Sequence, residues 1–151
     1  MPTAWGGGAA GTGPLDLFKL TVGEGGIRSP MLIAGPGIEG KRRSDAFTYV
    51  WDVMPTILEY AGATHPTEFK GKKVEPMRGK PLNGMLAGSA NEVYGPDDFV
   101  GGEMRNGKWM RQGELKAVSV APPFGPGDWY LYNVAEDPGE THDLSKERAE
   151  E

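Results

Sequence analysis

Lys19 is the residue of this chain whose type and setting best suit chemistry on an anion. It begins the segment KLTVGEGGIR, residues 19 to 28, in which the glycines allow tight backbone turns. A lysine ammonium is a compact positive charge with three hydrogen-bond donors. From residue type and spacing alone, a lysine in such a segment is more commonly an exposed loop residue. The surrounding sequence has to decide whether Lys19 binds an anion or is an ordinary exposed loop residue.

Other patterns that could carry chemistry favour structural roles. The glycine-rich stretch GGGAAGTGP, residues 6 to 14, lacks the Lys-Ser/Thr pair of a phosphate-binding loop. The acidic pairs Asp97-Asp98, Glu136-Asp137 and Glu150-Glu151 are interpreted as solvated turns. Neither histidine has a second histidine at ligand spacing, which disfavours a zinc site, and no G-x-S-x-G nucleophile motif occurs.

Composition predicts a globular domain with many turns and limits the classes of molecule that the chain could bind. The 151 residues suffice for a core, and 24 glycines with 13 prolines favour short strands over a helical bundle. A net charge of -5, with no basic cluster denser than Lys41-Arg42-Arg43, argues against nucleic-acid binding. No apolar run is long enough for a membrane span. The absence of cysteine excludes disulfides and a cysteine nucleophile from the chain but leaves its compartment open.

Hydrophobic patterning predicts two strands, one helix and a terminal antiparallel sheet. The strands are residues 31 to 34 and 46 to 51, and a helix at 53 to 61 follows, with Asp52 as its cap and Gly62 as its terminator. Residues 63 to 98 are expected to form a long excursion with one helical turn near Leu82 to Leu86. From Phe99 onward, strands 99–104, 108–111, 115–120 and 129–134 alternate with turns at Asn106-Gly107, at Gln112-Gly113 and at 121–128. A helix is expected from Leu144.

Four segments in order resemble the bacterial arylsulfatases. Lys19 to Pro30 resembles a family segment in which lysine precedes E-G-G-[IV]-R-x-P by five positions. Asp52 to Gly62 resembles D-x-x-P-T-[IL]-L-x-x-A-G. Arg78 to Leu82 is similar to R-G-x-S-L, with Pro81 where serine is usual. Residues 129 to 140 resemble W-x-L-Y-[ND]-[LV]-x-x-D-P-x-E.

The resemblance implies an α/β fold and a sulfate-ester substrate. Residues 1–62 would be the C-terminal part of the large α/β sulfatase domain, 63–98 a connecting excursion, and 99–151 a small antiparallel C-terminal subdomain with a terminal helix. Lys19 would be both the catalytic and the substrate-binding residue, because the family lysine binds the sulfate ester at the floor of the pocket. The family also uses calcium and a formylglycine made from a C/S-x-P-S/T-R motif. This chain lacks that motif, and the resemblance implies calcium ligands in segments upstream of the matched region, so both cofactors would lie outside the chain.

The glycine-rich opening and the missing motifs lead us to expect a fragment that is inactive alone. A non-catalytic module of sulfatase ancestry, or a piece of a related phosphatase or phosphonate hydrolase, remains open at this stage. If the family resemblance holds, the compartment is the periplasm or the cytoplasm of a bacterium. Strands 31–34 and 46–51 would lack sheet partners, which predicts self-association through an exposed sheet edge.

Overall fold

Residues 11–38, 40 and 42–149 are described by a computed structural model of the chain. The elements, in chain order, are helix α1 (Glu24–Ile27), a 3₁₀ helix (Val50–Asp52), helix α2 (Val53–Tyr60), strands β1 (Glu68–Phe69) and β2 (Lys72–Lys73), helix α3 (Asn83–Ala87), and strands β3 (Phe99–Met104), β4 (Gly107–Gln112), β5 (Leu115–Ser119) and β6 (Trp129–Asn133). Glycine-loop residues 6–10, Lys41 and the pair Glu150-Glu151 lie outside the described residues.

The described residues form two units. The first contains residues 11–31 and 96–149, and the second contains residues 32–95. The sequence-based division at residues 62 and 98 stays a prediction. None of the helices in the described residues combines the length and hydropathy that crossing a bilayer requires.

The terminal sheet of the first unit is the antiparallel meander that the sequence predicted, with strand order β3-β4-β5-β6. Its first turn consists of Arg105 and Asn106, both with positive φ, so it lies one residue earlier than the Asn-Gly pair suggested. Cross-strand pairing places Arg111 opposite Lys116 and Lys116 opposite Tyr132. Because alternate residues share a face, these side chains lie on the same face as buried Val118. The helix expected from Leu144 is reduced to one turn, closed by the Arg148 N–H to the Leu144 carbonyl.

Helix α2, the second unit's main element, begins at the predicted residue and ends one residue before the predicted end at 61. Pro55 lies in its first turn, where backbone N–H groups have no helical acceptor. Gly62 has a φ of 61°, and the Ala63 N–H donates to the Leu58 carbonyl at 2.9 Å, as in a Schellman terminator. The excursion that follows contains the predicted helical turn as α3, and also a short hairpin, β1-β2, that the sequence analysis missed.

Asp52 occupies the predicted N-cap position of α2, but its side chain makes no capping hydrogen bond to the helix, and this corrects the sequence-based assignment. Its buried carboxylate instead accepts backbone N–H bonds from Tyr49, at 2.6 Å, and from Lys80, at 2.9 Å. Thr56 Oγ1 accepts the Leu82 N–H, also at 2.9 Å. The D-x-x-P-T segment and the R-G-K-P-L segment are therefore joined through side chains of the first and main-chain donors of the second.

Gly79 is required by this junction. A Cβ at this position would lie 2.1 Å from the Trp51 carbonyl oxygen, which leaves no room for any other residue.

The strands predicted at 31–34 and 46–51 do not form among the described residues. Residues 31–34 and 42–49 have no regular secondary structure, and Val50 and Trp51 belong to the 3₁₀ helix. A β-strand needs a neighbour to take its backbone hydrogen bonds, and an apolar run supplies none by itself. Leu32 is consequently 91% exposed.

Helix α2 also exposes apolar side chains, and we expect the 151-residue chain to self-associate through them. Met54 and Ile57 are each 55% exposed. The variant Ile57→Lys should lower the weight-average mass measured by sedimentation equilibrium. Glu59→Gln, which changes the charge of the same helix by the same amount at an exposed position, serves as the control and should not. Equal behaviour of the two variants, or a monomeric wild-type chain at high concentration, would contradict this expectation.

Candidate functional site

Lys19 lies in an exposed turn whose backbone is tightly constrained. The Thr21 N–H and the Thr21 hydroxyl both donate to the Phe18 carbonyl, at 3.2 and 2.6 Å. Leu20 follows Lys19 with a φ of 80°, a conformation that costs energy for any residue with a Cβ. Lys19 is exposed and makes no ion pair among the described residues. The turn therefore presents a solvated ammonium.

The two glycines of the E-G-G segment allow α1 to pack directly against this turn. The Gly25 N–H donates to the Asp16 carbonyl at 2.7 Å. A Cβ on Gly25 would lie 2.4 Å from the Leu17 carbonyl oxygen, and one on Gly26 would lie 2.3 Å from that of Thr21. Such approaches exclude every residue except glycine. The motif is thus explained by contact between backbones, in agreement with the expectation that it shapes the turn.

Beneath the turn, Lys116 forms a fully buried ion-pair network with two glutamates. Its Nζ lies 2.9 Å from Glu24 Oε1 and 2.8 Å from Glu140 Oε1, and its exposure is 0%. The second Glu140 oxygen accepts the Glu24 backbone N–H at 2.7 Å. Arg28 Nη1 lies 3.8 Å from the other Glu24 oxygen. The network joins α1, strand β5 and the segment after β6, which are far apart in sequence.

The D-P-G-E turn delivers Glu140 to this network. Asp137 accepts hydrogen bonds from the backbone N–H groups of Thr141 and His142, at 2.7 and 2.8 Å. These bonds to the charged form hold the pKa of Asp137 below its usual value. Glu140 then adopts a φ of 53°, which is unfavourable for a non-glycine residue and is held by its two contacts, one with Lys116 and one with Glu24.

The low-polarity surroundings of the network shift the pKa values of several side chains. Burial raises the pKa of the Glu140 carboxyl, although the neighbouring Lys116 ammonium opposes the shift. Burial likewise raises the pKa of Asp16. Tyr132 is opposite Lys116 in the sheet, and burial, together with the charges of Asp143 and Glu140, raises its pKa to about 12.

The sequence analysis identified Lys19 but missed Lys116, and did not assign a role to Glu140. One signal could have found Lys116. In the strand LKAVS it lies two residues before Val118, so it shares the buried face of the strand. A lysine at such a position requires an acidic partner. The identity of that partner could not be inferred from the sequence, because Glu24 is 92 residues away from Lys116.

The family resemblance implies a calcium ion whose ligands lie outside this chain. Within ranges 11–38, 40 and 42–149, no three Asp, Glu or His side chains converge in the way that a metal ion requires. The prediction that the calcium ligands and the formylglycine lie outside this chain remains a prediction.

Breaking the network on one side should be costly. Lys116→Met leaves two buried carboxylates without their cation, and we expect the free energy of unfolding to fall by about 3–5 kcal/mol. Adding Glu24→Gln and Glu140→Gln removes those charges and should recover part of the loss. Lys108→Met makes the same substitution at an exposed position of neighbouring β4 and should change stability by about 0.5 kcal/mol or less. Urea denaturation measures these proteins and the single variants Glu24→Gln and Glu140→Gln, and simple additivity of the three network substitutions would contradict the coupling.

Glu140 should also give the stability a distinct pH dependence. Its pKa is raised in the folded chain above the unfolded value of 4.5, so the folded state holds the proton more tightly. The unfolding free energy that Glu140 contributes therefore falls as pH rises from 4.5 through the raised pKa. The difference between wild type and Glu140→Gln, measured by denaturation at successive pH values, should decline across this window. A constant or rising difference would be inconsistent with this assignment.

Comparisons with known proteins agree with the sequence resemblance. No protein-family model matches the chain. An uncharacterized sulfatase from Schizosaccharomyces pombe is 38% identical over 140 residues, covering 91% of this chain and 25% of the yeast protein. An arylsulfatase from Klebsiella aerogenes is 40% identical over 69 residues, covering 45% of this chain and 15% of that protein.

The fold is also similar to that of a solved structure. A proposed sulfatase from Bacteroides thetaiotaomicron VPI-5482 matches 77% of this chain and 25% of its own, with a TM-score of 0.51 and 24% sequence identity. The chain spans about a quarter or less of the length of each of these three proteins. On the strength of the sequence matches, the chain belongs to the sulfatase family.

Proposed function

We propose that this chain is part of a sulfuric ester hydrolase and that Lys19 binds the sulfate group of the substrate. The observation that carries the proposal is that an exposed lysine stands on a rigidly held segment. Lys19 is exposed, whereas the segment that follows it is anchored by glycine contacts and by a fully buried ion-pair network. A binding residue needs an accessible charge on a rigid support, because the position of the charge is then fixed before the ligand arrives.

The chemistry of the reaction suits an ammonium at this position. Water and a sulfate ester give an alcohol and sulfate, and negative charge increases on the sulfuryl and leaving oxygens as the ester bond breaks. A fixed cation that contacts those oxygens binds the transition state more strongly than the ground state. Lys19 supplies such a cation with three donors. The positive charge therefore acts on the rate as well as on binding.

The remaining machinery is proposed to come from other segments of a longer protein. The chain contains no cysteine, and its described residues contain no cluster of three Asp, Glu or His side chains that could hold a metal ion. A calcium ion in such an enzyme would neutralise charge on the sulfate, and a formylglycine would supply the nucleophile. Neither is assigned to residues of this chain, so the chain alone is expected to be inactive.

The test compares the 151-residue chain with the longest protein that its gene encodes. The longer protein should hydrolyse p-nitrocatechol sulfate and prefer it to p-nitrophenyl phosphate, and the isolated chain should not hydrolyse it. In the longer protein, Lys19→Ala should lower kcat by about 10²- to 10³-fold, as for loss of an oxyanion donor.

Lys146→Ala removes another exposed lysine and is the matched control, which should keep full activity. Full activity of Lys19→Ala would refute the role of this lysine. Activity of the isolated chain would refute its dependence on other segments, and a preference for the phosphate ester would assign the protein to the related phosphatases.

A further inference from the structure

A surface cleft of about 330 Å³ lies beside the turn that carries Lys19. Three segments of the first unit line it: residues 20–22 from the turn, residues 104–107 from the tip of the β3-β4 hairpin, and residues 120–124 after β5. Its volume is at the lower end of the range for small-molecule sites, large enough for a single ring. Leu20, which borders the cleft, directly follows Lys19.

The wall formed by residues 120–124 is largely apolar and preorganised. The Phe124 and Gly125 N–H groups donate to the Ala121 carbonyl, at 3.2 and 3.3 Å, and the Gly127 N–H donates to the Val120 carbonyl at 2.9 Å. The Phe124 ring contacts the Phe18 ring edge to face, with centroids 5.6 Å apart. Phe18 directly precedes Lys19, so the same contact connects the wall to the lysine turn.

The hairpin-tip segment of the lining carries a cation. Arg105 and Asn106 form the two-residue turn of the hairpin, with φ values of 50° and 66°. Arg105 is exposed, and its guanidinium makes no ion pair or hydrogen bond among the described residues. A guanidinium in this state is able to form a planar, two-point contact with a carboxylate or a sulfate. The apolar wall and the cationic hairpin tip together favour a ligand that has a ring and a negatively charged substituent.

We propose that this cleft binds the alcohol part of the sulfate ester and that Arg105 selects substrates whose ring carries a second anionic group. The inference rests on the proposed function, because it places the ester oxygen toward Lys19 and the ring beside it in the cleft. The ring contacts Phe124 and Val120, and the substituent reaches the hairpin tip. This arrangement would make the β3-β4 turn a determinant of substrate specificity.

The test measures binding of matched ligands to the 151-residue chain by ligand-observed NMR, which tolerates self-association. The ligands are 3-carboxyphenyl sulfate and phenyl sulfate, which differ only in the carboxylate. The wild-type chain should bind the carboxylated ester about two- to fivefold more tightly, as expected for one solvent-exposed ion pair. Arg105→Gln should abolish this ratio. Lys108→Gln, at an exposed position on the same hairpin, is the control and should preserve it.

The variant Lys19→Gln separates the two proposals. It should weaken both esters equally and leave their ratio unchanged. If Lys19→Gln has no effect while Arg105→Gln abolishes the ratio, the cleft assignment stands and the sulfate-binding role of Lys19 fails. If the wild-type chain binds neither ester, binds both equally, or keeps its preference in Arg105→Gln, the cleft assignment is wrong.

Discussion

The buried ammonium of Lys116 is the constraint on which the first unit depends. A charge removed from water is tolerated only when opposite charges and hydrogen bonds replace the lost hydration. Glu24 and Glu140 provide both, at 2.9 and 2.8 Å. Because these three residues come from a short helix, a strand and a turn, satisfying one charge fixes the position of three distant segments at once.

The constraint explains why an exposed loop can hold a defined shape. The turn that carries Lys19 has no strand or long helix of its own. It is held through Gly25 and Gly26, which contact its backbone, and through Glu24, which anchors the same segment from below. Placing a solvent-facing group on a loop that a rigid scaffold supports is common at binding sites. The adjoining cleft shares this support through the contact between Phe18 and Phe124.

The second unit also depends on a buried charged side chain, in this case a single carboxylate. Asp52 is completely buried and accepts main-chain N–H bonds from Tyr49 and Lys80. Thr56 extends the junction by accepting the Leu82 N–H. These bonds satisfy backbone donors in segments that have no sheet partner. Local order there depends on side-chain acceptors, while Leu32 and other apolar residues stay exposed.

Local patterns in the sequence determined the meander, helix α2 and its terminator at Gly62, because alternation, turn residues and caps act over a few positions. The same patterns failed for 31–34 and 46–51, since a strand depends on a partner that its own residues do not specify. The motif around Lys19 located the candidate site by resemblance. Only the tertiary structure revealed that Lys116 supports it, because a buried ion pair joins residues that chain folding, and not sequence proximity, brings together.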